Sequence, residues 1–456
     1  MSSFSSLNIG TQALSAAQQA LEVVGQNVAN ANTDGYSRQR VTQVARGGST
    51  VPAIWSVSDT SVGGVDVTGI ERIRDSFLEA RAQQEHGTLA NLTAMSGTYG
   101  DLESTFGEPS ETGLQNQLST FWGSWHDIAN NPGDGSAASV VLEQASTMAS
   151  SLNGFATQLA GQWQATRGDI DSTVSQINTM AAQVAQLNGA IRSATLSGQS
   201  PNDLADQRDA IVLSLAEATG ASATPGANGV VNVTLGGRPL VSDDHSQQLQ
   251  ALGPTTYPSA TGTVSIAWAG TGQPATVSSG TLAGQLTAVN ATIPGTMTDL
   301  DAVAAQLAST VNAQQAAGYD GNGNPGSPMF TGTTAATIAV SLTDPSSVAT
   351  SSAAPPAFDG ANAAAMAAHA TDAAGPDALF QQMMGRLGVQ SQTIQQHTTT
   401  QQSVVGQVDD SRQSVSGVNI DEEMTNLIAY QHAYSAAAQY ISVISSTLDT
   451  LMTMTR

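Results

Sequence analysis

The sequence predicts a mainly α protein with β insertions. Terminal heptad helices form a coiled-coil inner domain, followed by a long helical-bundle rod domain and a small outward β-domain. Three observations carry this reading. Matching seven-residue repeats stand at the two ends of the chain, residues with a three-four apolar rhythm fill most of the space between them, and one stretch of about 60 residues alternates like strand. The implied division is discontinuous: 1–33 with 418–456, then 34–220 with 284–417, then 221–283.

The first helix occupies residues 1–30. Leu7, Leu14, Leu21 and Val28 recur every seventh position, and Gly10, Ala17 and Val24 fall between them on the same stripe. At the other end Ile420, Leu427, Tyr434, Ile441 and Leu448 repeat the device, with Met424, Ala438 and Met452 joining the stripe. Asn419 followed by Glu422 reads as an N-cap with its capping box, and Asp421 and Glu423 complement the positive helix end. Isolated helices of this length are marginal in water, so the termini are expected to order by pairing with each other or with neighbouring subunits.

Between them, Leu92, Met95, Tyr99, Leu102 and Phe106 mark a helix, and Leu114, Leu118, Phe121, Trp125 and Ile128 mark another that stops at Asn131 and Pro132. A third runs from about Ser136 to Leu196 through Val141, Met148, Leu159, Ile170, Ile177, Val184 and Ile191. Residues 41–74 are β-branched with Gly and Pro punctuation and read as strands or an extended arm. In 221–283, "VVNVTLGGRPLV" is two strands joined at Gly236 and Gly237, and "TVSIAW" alternates Val264, Ile266 and Trp268 on one face. Helix returns over 282–317, a short strand falls at "ATIAVSL", residues 350–375 are low-complexity Ala/Ser/Pro, and helix resumes near Ala378.

Composition removes several functions. The 456 residues contain no cysteine, and the 13 basic residues include no lysine, which excludes thiolate chemistry, a P-loop lysine and a Schiff-base lysine. A net charge of −23 and a pI near 4.2 set the surface against phosphate backbones, so no nucleic-acid partner is expected. No apolar run reaches the roughly 18 residues of a membrane span. The first residues lack a basic n-region, so no cleaved signal peptide is expected.

No catalytic residue, cofactor or metal emerges. "DGNGNPGSP" from Asp320 imitates a calcium loop, but Pro325 stands where the loop needs glycine and Thr331 where it needs glutamate, so a plain turn is the better reading. Asp243, Asp244 and His245 read as solvated turn residues. His86, His126, His369, His397 and His432 are scattered singly, and the pair Glu422 and Glu423 is explained by capping.

The segment "NVANANTDGYSRQRV" ends the first helix. Asn30, Asn32 and Gly35 are residue types that tolerate left-handed backbone and close helices, Tyr36 can anchor the turn, and Arg38 and Arg40 can pair with acidic neighbours. Asn30, Asn32, Thr33, Gly35, Tyr36 and Arg38 thus read as a helix C-terminus and the turn that follows it.

"LNIGTQALSAAQQALEVVGQNVANANTDGYSRQRV" resembles the N-terminal signature of bacterial flagellar axial proteins, and "VNIDEEMTNLIAYQHAYSAAAQYISVISSTLDTL" is similar to their C-terminal signature. Within that superfamily, "GYSRQ", "NDLADQRDAIVLSLAEATG" and "LDAVAAQLASTVNAQQAAGYDGNGNPG" resemble the hook-associated family of the hook-filament junction. The likeness covers nearly the whole chain and is weakest in the β-module and in 345–378. Asp34 stands where the family often has proline, and the short β-insertion implies that an outer domain of longer relatives is missing.

The resemblance implies a structural, non-enzymatic, extracellular component of the flagellum. It would self-assemble head to tail on the hook tip, with the hook protein below, the next junction protein above, and export by the type III apparatus with a chaperone. Leu7, Leu14, Leu21, Val24 and Val28 would pack with Ile420, Met424, Leu427, Tyr434, Ile441 and Leu448 within and between subunits. The alternatives are another axial protein of the rod or hook, which would lack the bundle over 75–220, and a secreted enzyme or adhesin carried on axial helices.

Overall fold

The structure, a computed structural model, describes residues 3–46, 63–257, 262–354 and 359–454. Ten helices and ten strands are seen among them, in the order α1 Ser3–Ala29, β1 Gln39–Ala45, β2 Val65–Arg72, α2 Ser76–Phe106, α3 Leu114–Asn130, α4 Gly135–Leu196 and α5 Asn202–Thr219. Strands β3 Ser222–Pro225, β4 Val231–Leu235, β5 Arg238–Ser242, β6 His245–Ser246, β7 Leu249–Leu252 and β8 Ser265–Trp268 follow. The chain closes with α6 Gly280–Thr287, α7 Ile293–Ala317, β9 Phe330–Thr331, β10 Ala339–Val340, α8 Ala361–Ala368, α9 Pro376–Ser416 and α10 Ile420–Met454.

Helix α4 is the spine. Its 62 residues span about 93 Å at 1.5 Å per residue. A stripe from Ala138 through Val141, Ala145, Met148, Leu152, Leu159, Trp163, Ile170, Ile177 and Val184 to Ile191 is buried along that length. Helix α3 packs on its first half and α5 on its second, while α2 and α9 form a long pair alongside. The chain's few aromatics concentrate at one end, where Phe121 lies 4.9 Å from Trp122 and 6.4 Å from Phe330, and Phe106 lies 5.2 Å from Phe155, between ring centroids.

The sheets are small and antiparallel: β1 with β2, the four strands β3 to β6 in sequence order, β7 with β8, and β9 with β10. Gly236 and Gly237 both take positive φ (56° and 79°) in the β4–β5 turn, the backbone that the primed hairpin turn requires. Leu235, Leu240, Val241, Leu249, Val264, Ile266 and Trp268 belong to the same apolar core as α4 and α7. The β-module therefore has no core of its own; it leans on the spine.

Asparagine side chains fasten these extended pieces. Asn178, Asn188, Asn290 and Asn312 each donate to the carbonyl and accept from the N–H of one residue in or next to a strand, namely Leu249, Val231, Val264 and Phe330. A carboxamide matches a peptide group in shape, so each asparagine stands in for a neighbouring strand. Asn290 sits in a π-turn, Ala288–Thr292, that interrupts the helix expected over 282–317. Pro294 lacks the N–H that an α-helix would direct to the carbonyl of Asn290, which accounts for the break.

Within the low-complexity stretch 350–375 the structure adds a helix that the sequence did not announce: α8 forms there and buries Asn362, Ala363 and Met366. An alanine-rich helix gives no apolar contrast to read. The strand-like segment 41–74 becomes the β1–β2 hairpin, and its middle, 47–62, lies outside the described residues.

Candidate functional site at the junction of the terminal helices

Helices α1 and α10 pack antiparallel. Asn27 on α1 meets Glu423 on α10, and Gly10 meets Ile441, so one helix descends as the other climbs. A Cβ on Gly10 would lie 2.7 Å from Ile441 Cγ1, so glycine is what permits this approach. On α1 the covered stripe is made of small residues, Gly10, Ala16, Ala17, Ala20, Val23, Val24 and Asn27. Leu7, Leu14, Leu21 and Val28 flank it and are half-buried.

On α10 the positions Glu423, Leu427, Tyr430, Tyr434, Ala437, Ile441, Ile444 and Leu448 follow alternating steps of four and three, the period of a two-helix seam. Leu427, Ile441 and Leu448 are half-buried, and Glu423 and Ala437 are buried. Leu427, Tyr434, Ile441 and Leu448 of the stripe read from sequence fall on this seam, but the accompanying line is displaced by one residue: Met424 and Ala438 are exposed and Glu423 and Ala437 take the covered places. Ile420, Met424 and Tyr434 are 49%, 46% and 39% exposed, and Ile428 and Val443 are 51% and 64% exposed. Of these, Met424, Ile428 and Val443 lie off the seam, so α10 carries apolar residues outside its contact with α1 that the chain itself leaves in solvent.

The turn after α1 is built around Asn27, which is 1% exposed. Its amide donates to the Gln39 carbonyl (2.9 Å) and to Glu423 (3.1 Å), and its carbonyl oxygen accepts from Gln39 N–H and the Tyr36 hydroxyl (both 2.9 Å). All four hydrogen-bonding capacities of the side chain are used. Burial first, then Asp203, Asp206 and Glu423, push the Tyr36 hydroxyl up to about 12, so it remains a donor. Asn30 closes the helix, accepting from the Thr33 N–H and hydroxyl. Asn32 is exposed and, with Asn30, keeps negative φ, so the left-handed role expected of the asparagines falls to Gly35 alone (φ 78°).

Arg38 bridges to both terminal-helix carboxylates, donating from Nε to Glu423 (2.8 Å) and from Nη1 to Glu422 (2.7 Å). Those two glutamates are therefore ion-pair partners and not the second half of a capping box. Asn419 does cap α10, accepting from the N–H groups of Asp421 and Glu422. Arg40 is exposed, with no carboxylate partner among the described residues.

From this point charge-assisted bonds run on into the helical body. Ser37 donates from both N–H and hydroxyl to Asp206 on α5, and Arg72 donates to Asp206 (2.7 Å) and Asp209 (2.8 Å). Asp209 also receives Arg74 and Arg208, Arg74 pairs with Glu79, and Glu79 pairs with Arg412 on α9. Burial favours the neutral acid at Asp209, yet Arg208, Arg74 and Arg72 together outweigh it and hold the carboxyl below its usual range. Arg208 shows the opposite balance: burial lowers its pKa more than Asp209 restores it.

Five of the 13 arginines thus gather where the terminal pair meets the body. Sequence reading singled out Arg38 alone among them. A signal existed in the clusters "ERIRD", "DQRD" and "DDSR", where carboxylate and guanidinium alternate, but their convergence comes only from the fold. Asp320, the head of the calcium-like loop, spends one carboxylate oxygen on the N–H groups of Asn322 and Asn324.

Residues 99–330, just over half of the chain, match the family described as flagellar hook-associated protein FlgK helical domain. Residues 7–36 match the flagella basal body rod protein family, and 410–454 match the flagellar basal body rod FlgEFG protein C-terminal family. The chain is 28% identical to flagellar hook-associated protein 1 of Bacillus subtilis over 98% of its own length and 97% of the relative's. It is 30% identical to the Salmonella typhimurium protein of that name over 71% of this chain and 59% of the relative. The structure of the flagellar hook junction protein FlgK from Burkholderia pseudomallei shares its fold, with a TM-score of 0.64 at 18% identity over 75% of this chain and 100% of that one. A helical body of the hook-associated type, enclosed by two axial-type terminal helices that are paired through Asn27 and Arg38, places this chain in the flagellar hook-associated protein 1 family.

Proposed function

We propose that the chain is a non-enzymatic structural subunit of the junction between flagellar hook and filament. The observation that carries this reading is the coexistence, in one chain, of both axial terminal segments and the helical domain over 99–330 that is matched by the hook-associated family model. A rod or hook protein would share the ends without that body.

The terminal pair, 1–33 with 418–456, forms the inner layer. The body over 34–220 and 284–417 stands outside it, and the β-module over 221–283 faces outward. Leu7, Leu14, Leu21, Val24 and Val28 with Leu427, Tyr434, Ile441 and Leu448 hold the pair together, while Ile420, Met424, Ile428 and Val443 face neighbouring copies. Contacts of this head-to-tail kind extend into a tube or ring instead of closing a dimer. The turn through Asn30, Asn32, Thr33, Gly35, Tyr36 and Arg38 sets the angle between layers. The hook protein and the next junction protein are the neighbours along the axis. The type III export apparatus, with a chaperone on the C-terminal helix, delivers the chain outside the cell without signal cleavage. No membrane insertion is involved, and no helix among the described residues is long and apolar enough to cross one.

The test is to delete the gene and examine flagella and medium together. Bare hooks with flagellin shed into the medium are expected. Missing hooks would move the protein to the rod or hook, and normal filaments would overturn the structural reading.

A further inference from the structure

His86 lies on α2 with only 16% of its side chain exposed, wedged between two carboxylates from different helices. Nδ1 is 2.9 Å from Glu217 on α5, and Nε2 is 3.0 Å from Asp409 on α9. A neutral imidazole has one N–H, so it can satisfy one of these acceptors while the other ring nitrogen faces a carboxylate lone pair to lone pair. Only the imidazolium donates to both.

We propose that His86 is a proton-operated clamp that fastens α9, the helix leading into α10, to α2 and α5. Protonated, it joins three helices; deprotonated, it must release one carboxylate, and Asp409 keeps Arg412 (3.0 Å) as its remaining partner. The other charged groups nearby are already engaged: Glu79 with Arg74 and Arg412, and Glu85 with Arg81 and Gln401. From the turn after α5 and the start of α6, Gly220 and Ser279 close on Gly87, and neither titrates.

The hydrogen bond to Glu217 raises the His86 pKa above its ordinary 6.5, against the opposing effect of burial, and Asp409 adds to the rise. A folded pKa raised above the unfolded one gives stability that is fully present below pH 6.5 and is lost as pH climbs through the folded value. The clamp is therefore tight in mild acid and loosens in alkali.

Two measurements on the full chain test this. In NMR spectra of the histidine-labelled protein, one imidazole is expected to titrate above 6.5 and to be the resonance that moves in Glu217→Gln and Asp409→Asn. Amide protection over 400–416, normalised for intrinsic exchange, is expected to fall between pH 6 and pH 9 by about tenfold for each unit of elevation in the histidine pKa. His86→Gln should remove that dependence. A His86 resonance titrating at or below 6.5, or an unchanged pH dependence in His86→Gln, overturns the clamp. Should His86→Gln fail to fold, the titration of the wild-type chain still decides.

Discussion

A polar side chain that grips two backbone segments at once can hold a chain that has few aromatics and no cross-links. Asn188 is fully buried and grips Val231 through both backbone groups and Asp243 through its carbonyl. Asn188→Leu is expected to lower stability by about 2 kcal/mol in chemical denaturation, because it leaves the part-buried N–H and carbonyl of Val231 without their partner, and orphaning a buried polar group costs roughly 1–3 kcal/mol. Asp209 carries the corresponding electrostatic prediction. Its folded pKa is depressed, so its contribution is present above its unfolded pKa and is lost as pH falls through the folded value. Asp209→Asn should cost about 3 kcal/mol near pH 7, where three arginines lose their shared partner, and the difference from wild type should shrink in acid melts. These residue-scale features were only partly legible. Arg38 and Tyr36 stood out beside an asparagine-rich helix end. Asn27 did not, since an asparagine inside a helical rhythm looks like a surface residue until its strand partner arrives 12 positions later.

At the scale of elements, apolar periodicity sufficed for the rod. The stripes of α3 and α4 fall where the three-four rhythm puts them, because those helices bury one face on each other, while on α2 the rhythm holds for Tyr99, Leu102 and Phe106 and leaves Leu92 and Met95 half-buried. Rhythm failed where contrast failed: α8 is nearly all alanine, and on α10 apolar residues surround the helix, so Met424 and Ala438 were read into its inner face in place of Glu423 and Ala437 while Leu427, Ile441 and Leu448 were read correctly. That surplus is the reason for two predictions. Gly10→Val should force α1 away from Ile441 and stop assembly, judged by loss of motility, while the thermal melt of the α2–α9 body stays unchanged. Val443→Glu alters a side chain that is 64% exposed, so it should leave the chain folded yet abolish its incorporation into flagella, seen by immunoblot of purified hooks. Incorporation at the wild-type level would remove this face of α10 from the subunit contact.

For the whole molecule, stability is unevenly distributed. One continuous core runs from Tyr99 to Leu387 through α4, whereas α10 buries only Glu423 and Ala437 among its described residues. The arginine-carboxylate bonds from Arg38 to Arg412 tie the weakly covered pair to the strongly covered body. They orient the pair without stiffening its far end, since Asn27 and Arg38 act only at the end near the turn. Local opening follows the density of buried contacts, so the far ends of α1 and α10 belong to the least protected part of the chain until neighbours cover them. The measurement that addresses this most directly is hydrogen exchange over residues 3–29 and 420–454 in the monomer and in the assembled junction. Fast exchange in the monomer and strong protection after assembly is the predicted result, and equal protection in both states would contradict the account.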